Sequence, residues 1–138
     1  MGSARPEPLP VASLITFCYT DNLGVTDDFY QGTLGLPLVF DQGTCHIYRV
    51  ADGACIGFCR RSAVGIDHDD LILTLVTDDV DGWYGRLKAR GATVVEPPRT
   101  DERYGVYHFF ARDPNGYRLE FQKFLSADGL SQSSARPA

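Results

Sequence analysis

The residues best suited to chemistry lie in one short stretch, DPNGYRLEF, at positions 113–121. Its first four residues are typical of a tight turn, because proline presets one φ angle and Asn-Gly tolerates positive φ. Polar and apolar residues then alternate, which predicts a strand with Arg118, Glu120 and Gln122 on one face. A lone carboxylate on such a face can serve as a metal ligand, as a general base, or as a polar contact to a bound molecule.

Three cysteines form a second group of candidates. Strand alternation places Cys18, Cys55 and Cys59 on the same predicted face as Glu120, where thiols can bind a soft metal or react with an electrophile. We prefer the simpler interpretation that they are small apolar strand residues. Cys55 and Cys59 are too far apart on one strand to bridge each other, whereas Cys18 is able to approach one of them if the strands are neighbours.

Composition limits the class of protein. The chain has 138 residues, 43% of them apolar, and a net charge of −5. These values predict one folded domain and argue against nucleic acid or an anionic membrane as a partner. No apolar run approaches the roughly 20 residues of a membrane helix, and the N-terminus lacks the apolar segment of a secretory signal. We therefore expect a cytoplasmic protein with reduced cysteines, and the absence of a CxxC pair argues against structural zinc.

The sequence contains an internal duplication. Leu14-Ile15-Thr16-Phe17 followed by Asp21 resembles Ile72-Leu73-Thr74-Leu75 followed by Asp79, and residues 53–58 line up with 116–121. The two copies span 12–61 and 70–124 within one domain, 12–124, flanked by a flexible lead at 1–11 and a polar tail at 125–138. Such a duplication predicts two equivalent structural modules.

Each copy reads as a strand, a helix and three short strands, βαβββ. In the first copy we predict strands at 12–19, 36–40, 44–50 and 54–60 around a helix at 25–33. In the second copy the predicted strands are 71–77, 93–96, 105–111 and 117–124, with a helix at 80–90. The fold class is therefore α+β, with two βαβββ modules that form curved mixed sheets around a concave cavity.

Alternation also assigns the faces of the strands. Bulky residues at Ile15, Phe17 and Tyr19, and at Leu71, Leu73 and Leu75, are expected to pack on the helices. The other set is expected to line the concave face: Leu14, Thr16, Cys18, Cys55, Gly57, Cys59, Ile72, Thr74, Val76, Arg118, Glu120 and Gln122.

The three histidines have simple interpretations. His46 and His108 fall at matching positions of the two copies, and we interpret both as surface or packing residues. His68 lies in the linker between the copies, where a solvated side chain is the preferred interpretation and a displaced metal ligand is the alternative.

The duplicated βαβββ pattern, TLGLPLVF at 33–40 and DPNGYRLEF together resemble the vicinal oxygen chelate superfamily. This group includes glyoxalase I, extradiol dioxygenases, fosfomycin-resistance enzymes and bleomycin-resistance binding proteins. The resemblance covers residues 12–124 and implies a homodimer whose sites are completed across two copies or two chains. One fold hosts many functions, so the fold by itself does not give an activity.

The resemblance also implies where a metal would be held. Ligands in metal-using members come from the first and last strand of each copy, and these positions fall on Leu14, Gly57, Ile72 and Glu120. Only Glu120 carries a donor group, whereas a divalent metal wants several. We therefore expect no metal and no cofactor in this chain.

These observations favour a small-molecule-binding protein of the bleomycin-resistance type. Glu120 is the candidate catalytic residue, and the candidate ligand-binding residues are Thr16, Cys18, Cys55, Cys59, Thr74, Tyr107, Arg118 and Gln122. The alternatives are a metal-dependent lyase, isomerase or dioxygenase with relocated ligands, a metal-free enzyme with Glu120 as its base, and a protein-association module.

Overall fold

The computed structural model describes residues 5–62 and 68–126. Residues 1–4 of the lead and 127–138 of the tail that the sequence predicts lie outside the described residues. The first copy contains strand β1 (Leu14–Thr20), helix α1 (Leu23–Asp27) and strands β2 (Leu38–Asp41), β3 (Cys45–Ala51) and β4 (Ala54–Arg60). A π-helical turn, Asp28–Thr33, continues α1. We call these elements the first module.

The second module repeats this order with one addition. A short 3₁₀ turn, His68–Asp70, leads into β5 (Ile72–Val76) and helix α2 (Val80–Ala89). The strands β6 (Thr93–Val94), β7 (Arg99–Asp101), β8 (Val106–Arg112) and β9 (Arg118–Phe124) follow. Strand β7 was not predicted from the sequence, because its three residues show no hydrophobic alternation.

The two modules have the same sheet topology. The order is β1-β4-β3-β2 in the first sheet and β5-β9-β8-β6 in the second, where β7 also pairs with β8. The outer pairs β1–β4 and β5–β9 are parallel, and the inner pairs β3–β4 and β8–β9 are antiparallel. The α+β duplication expected from the sequence is confirmed.

Each helix covers one face of its own sheet. Asn22 caps α1 by accepting from the Val25 amide, and Asp79 caps α2 by accepting from the Gly82 amide. The buried core joins both modules and includes Phe58 and Leu87, which are fully buried. We call the helix-packed side of each sheet its helix face, and the opposite side, which carries Gly57 or Glu120, its concave face.

The predicted faces are correct for β4, β5 and β9 but wrong for β1. The parallel register pairs Thr16 with Ile56 and Cys18 with Phe58, both of which are buried residues of the helix face. Cys18 is accordingly buried, whereas Phe17 lies on the concave face and is 46% exposed. The error arises because both residue sets of β1 are apolar enough to be buried, so that side-chain size alone does not select the inner face.

The turn of the DPNGYRLEF motif joins the two modules. The Asp113 carboxylate accepts hydrogen bonds from the Asn115 and Tyr117 amides at 2.9 and 2.8 Å, and from the Tyr30 hydroxyl of the first module at 2.7 Å. Burial raises the pKa of Asp113 above its usual value, and these hydrogen bonds partly oppose the shift. Asn115 adds a contact with the Thr20 hydroxyl at 2.7 Å. The turn residues of the motif therefore stabilise the fold, and only its strand residues face the candidate site.

Candidate functional site

Glu120 lies at the centre of a polar cluster on the concave face of the second module. Its Oε2 contacts Nδ1 of His108 at 2.6 Å, and its Oε1 accepts from the Thr74 hydroxyl at 2.9 Å. The Glu120 and His108 side chains are 12% and 7% exposed. Both carboxylate oxygens are therefore engaged by neighbouring side chains, and the cluster is removed from solvent.

His108 has one ring nitrogen without a partner. Its Nε2 is buried and makes no hydrogen bond within residues 5–62 and 68–126. The ring stands edge-on to Phe110, with centroids 5.1 Å apart. Buried imidazole nitrogens are usually hydrogen-bonded, so an unpartnered one at a polar cluster calls for an explanation.

Arg118 lies beyond Phe110 on the same face. Its guanidinium carbon is 5.9 Å from the centre of the Phe110 ring, and one terminal nitrogen donates to the Asp69 carbonyl at 3.1 Å. Its Nε is buried and has no partner in the part of the chain that the structure describes. The concave face thus holds two unsatisfied polar atoms on either side of one aromatic ring.

His108 belongs to the polar cluster and is not the surface or packing residue that its sequence position suggested. Register pairs Arg112 with Arg118 and His108 with Gln122, so the hairpin around Asn115 sets His108 diagonally across from Glu120. The position of the turn in the sequence was the signal that could have predicted this diagonal contact. The equivalence of His46 with His108 is also wrong, because His46 pairs with Phe58 on the helix face and contacts Asp27 at 2.8 Å.

The same face of the first module is apolar. Cross-strand register aligns Phe17, Gly57, Ile47 and Phe40 in one row, where the second module has Thr74, Glu120 and Phe110. The structural counterpart of Ile72 is Ile15, one residue beyond the Leu14 that the sequence alignment suggested, because Ile15 pairs with Cys55 as Ile72 pairs with Arg118.

Cys59 is not a free thiol. It forms a disulfide with Cys45, directly across the β3–β4 pair, with the two Cα atoms 4.0 Å apart. The expectation of reduced cysteines is therefore wrong for this pair. The sequence excluded a Cys55–Cys59 bridge but did not indicate a Cys45–Cys59 bridge. The antiparallel register of β3 and β4 is what brings Cys45 opposite Cys59. Cys55 remains a free, half-buried cysteine on the concave face.

Three predicted ligand-binding residues lie on the helix face instead. Thr16 and Cys18 turn inwards with β1, and burial beside Asp113 raises the pKa of the Cys18 thiol to about 12, so it is not a reactive thiolate near neutral pH. Tyr107 donates to Asp81 of α2 at 2.5 Å. The thiol cluster, which was the less favoured interpretation of these cysteines, is not assembled, since Cys18 and Cys55 lie on opposite faces.

His68 does not join Glu120. Its ring stacks on Tyr117 at 3.8 Å, on the helix-face side of β9. Of the other predicted residues, Thr74, Arg118, Glu120 and Gln122 share the concave face of the second module, as their alternation indicated.

The donor set does not fit the metal that the family resemblance implies. Both Glu120 oxygens are engaged, and the equivalent positions Ile15, Gly57 and Ile72 carry no donor atom. Within the described ranges, no three His, Cys, Asp or Glu side chains converge as metal ligands would. No chemical step is therefore assigned to a metal.

The concave faces are open in the single chain. A cavity of about 320 Å³ lies elsewhere, lined by residues such as Phe29, Arg90 and Pro114. On the concave side, Phe17 and Phe40 are 46% and 61% exposed. Across residues 5–62 and 68–126, no helix has the length and apolar character needed to cross a membrane.

The fold and the open concave faces define a duplicated βαβββ protein. The model of the Glyoxalase/Bleomycin resistance protein/Dioxygenase superfamily matches residues 15–121, and the chain belongs to this family. A glyoxalase/bleomycin resistance protein/dioxygenase from Nocardioides has a similar structure, with 18% identity and a TM-score of 0.66, covering 92% of this chain and 91% of that one.

Two further solved structures share the fold. TioX from Micromonospora sp. ML1 is 19% identical with a TM-score of 0.67, covering 83% of this chain and all of that one (100%). Lactoylglutathione lyase from Agrobacterium tumefaciens is 21% identical with a TM-score of 0.63, covering 83% and 94%. At these identities the likeness concerns the fold.

One curated protein also matches in sequence. Ras-related protein Rab-26 from Rattus norvegicus is 32% identical over 120 residues, which are 85% of this chain. The chain spans only 43% of the length of that protein, so nothing of its activity is carried over.

Proposed function

We propose that this protein binds a small, mainly apolar organic molecule on its concave faces, and that it does so as a homodimer. The observation that carries the proposal is the contrast between the two concave faces: the first module exposes Phe17 and Phe40, and the second carries the polar cluster around Glu120. Half-exposed phenylalanines in a row are typical of a surface that another molecule covers.

In the proposed dimer, the second chain encloses the binding site that a single chain leaves open. A pocket must enclose most of its ligand, and an open sheet face does not. If the apolar face of one chain covers the polar face of its partner, each site gains an apolar wall and keeps Arg118, Glu120 and Gln122 as polar contacts. Such a site suits a ligand with one apolar body and one polar end.

The first test compares aspartate substitutions at two exposed apolar residues. Phe17 on the concave face and Val25 on α1 are 46% and 44% exposed, so the two apolar side chains are similarly accessible. We expect Phe17→Asp to convert the dimer to a monomer in sedimentation equilibrium and Val25→Asp to leave it intact. A wild-type monomer, or a Phe17→Asp dimer, contradicts the proposed assembly.

The second test concerns binding. A panel of small aromatic and aliphatic compounds is screened by thermal shift, because a ligand that binds only the folded state raises its apparent stability. Compounds that stabilise the wild type and the Val25→Asp protein but not the Phe17→Asp protein support the proposal. A panel without any stabilising compound contradicts it.

The metal-dependent alternative is decided by metal analysis of protein purified without chelator. Stoichiometric zinc, nickel, iron or manganese that is lost in Glu120→Gln would overturn the proposed function. Glu120 as the base of a metal-free enzyme is less favoured, because Thr74 and His108 already occupy both of its oxygens.

A further inference from the structure

The carboxylate of Glu120 sets the hydrogen-bonding state of His108. An ionised carboxylate only accepts hydrogen bonds, so the 2.6 Å contact places a proton on Nδ1 of His108. Thr74 fixes the other carboxylate oxygen from β5. A neutral imidazole held in this way presents a bare Nε2, which is an acceptor. Glu120 is therefore a positioning residue for His108.

Arg118 supplies a hydrogen-bond donor that complements the Nε2 acceptor of His108. Its charge is compensated by no carboxylate within ion-pair distance among residues 5–62 and 68–126, and its buried Nε is an unused donor. A buried guanidinium N–H that lacks an acceptor favours the binding of an anion. The neighbouring Arg112 is already paired with Asp69 at 3.1 Å.

Phe110 separates these two atoms and supplies an apolar surface. It lies between the His108 ring, at 5.1 Å, and the Arg118 guanidinium carbon, at 5.9 Å. A flat ring placed against Phe110 gains aromatic packing, and substituents at its two ends reach the acceptor and the donor.

Building on the proposed binding function, we infer that the ligand is a planar aromatic acid that carries a hydroxyl group. The hydroxyl donates to Nε2 of His108, the carboxylate accepts from Nε of Arg118, and the ring packs on Phe110. This ligand satisfies both buried orphan atoms at once, which neither a purely apolar nor a purely cationic molecule does.

Arg99 is a cross-strand neighbour of His108 at the edge of the site. Register places Arg99 and Gln122 on either side of His108. The Arg99 side chain is 67% exposed, and its ion-pair contact is with the exposed Glu96 at 3.7 Å. Exposed pairs of this kind contribute little, so Arg99 is free to swing away.

The binding test uses 4-hydroxybenzoate and two probes that each lack one group: benzoate lacks the hydroxyl, and 4-hydroxybenzyl alcohol lacks the carboxylate. Calorimetric titration of the wild-type protein is expected to show 4-hydroxybenzoate binding about tenfold more tightly than either, the size of one well-placed hydrogen bond. Equal affinity for the three probes, or no binding of 4-hydroxybenzoate, overturns the inference.

Two variants assign the groups. His108→Phe is expected to equalise 4-hydroxybenzoate with benzoate, and Arg118→Gln to equalise 4-hydroxybenzoate with 4-hydroxybenzyl alcohol. The controls are His68→Phe, which keeps a ring on Tyr117, and Arg103→Gln, at an exposed turn. Discrimination that survives in His108→Phe or Arg118→Gln contradicts the assignment. If His108→Phe does not fold, as judged by circular dichroism, His108→Gln takes its place.

A spectroscopic measurement tests the role of Glu120 independently. Nitrogen-15 NMR of the wild-type protein is expected to show His108 protonated at Nδ1 and bare at Nε2, and Glu120→Gln is expected to shift this tautomer balance. A proton found on Nε2 in the wild type overturns the inference. The proposed function fails separately, if the wider panel and the Phe17→Asp comparison show neither binding nor a dimer.

Discussion

The two modules share one register and carry opposite chemistry on their concave faces. Where the first module has Phe17 over Gly57, the second has Thr74 beside Glu120. The next row shows the same contrast, because the Cys45–Cys59 disulfide occupies the place of the His108–Gln122 pair.

This contrast shows that the core and the site follow different rules. Helix-face positions stay apolar in both copies, as Phe58 and Phe121 illustrate, since both are fully buried. The concave faces are free to diverge, and size is balanced across each pair of strands: a large Phe17 meets a glycine, and a small Thr74 meets a glutamate. The first module carries an apolar concave face, and the second carries a polar cluster.

The largest expected difference in stability is between substitutions in the two hairpin turns. Asp113 bridges the modules through three hydrogen bonds, whereas Asp52 in the corresponding turn of the first module is exposed. Asp113→Ala should lower the free energy of unfolding by about 3 to 4 kcal/mol, because buried donors lose their acceptor. Urea denaturation measures it, with Asp52→Ala as a control near zero. Equal effects would show that the two turns have equivalent roles.

A smaller effect is expected from the disulfide that distinguishes the first module. It joins residues 14 apart, so its loss should cost about 2 to 3 kcal/mol by releasing the unfolded chain. Unfolding with and without reductant measures this cost, and the double variant Cys45→Ala, Cys59→Ala gives the same quantity without a redox reagent. A midpoint that does not respond to reductant contradicts a formed disulfide. Cys55→Ala is the matched control.

The smallest expected effect tests the size match on the concave face. A Cβ added at Gly57 would lie 2.6 Å from the Phe17 ring, so the ring must move. Since Phe17 is half exposed and can swing outwards, Gly57→Ala should cost only about 1 kcal/mol. A double-mutant cycle with Phe17→Ala should recover most of that loss. Independent, additive effects would contradict the proposed size match.

Much of the fold was predictable from the sequence. The duplication indicated two βαβββ modules, and alternation placed Arg118, Glu120 and Gln122 on one face, because these polar residues alternate with the apolar Leu119 and Phe121. The candidate site was predictable in part. His108 was not predicted as a site residue, because its role depends on which residue lies across the hairpin. Tyr107, the neighbouring residue on the same strand, was predicted instead but points to the helix face.

The sequence by itself determined the modules, the turn at Asp113 and the strand face of Glu120, because turn chemistry and two-residue periodicity are local properties. Only the tertiary structure decided which face of β1 is buried, which cysteines meet and which atoms surround Glu120. Those outcomes depend on the register between paired strands, and a shift of one residue reverses the face of every side chain.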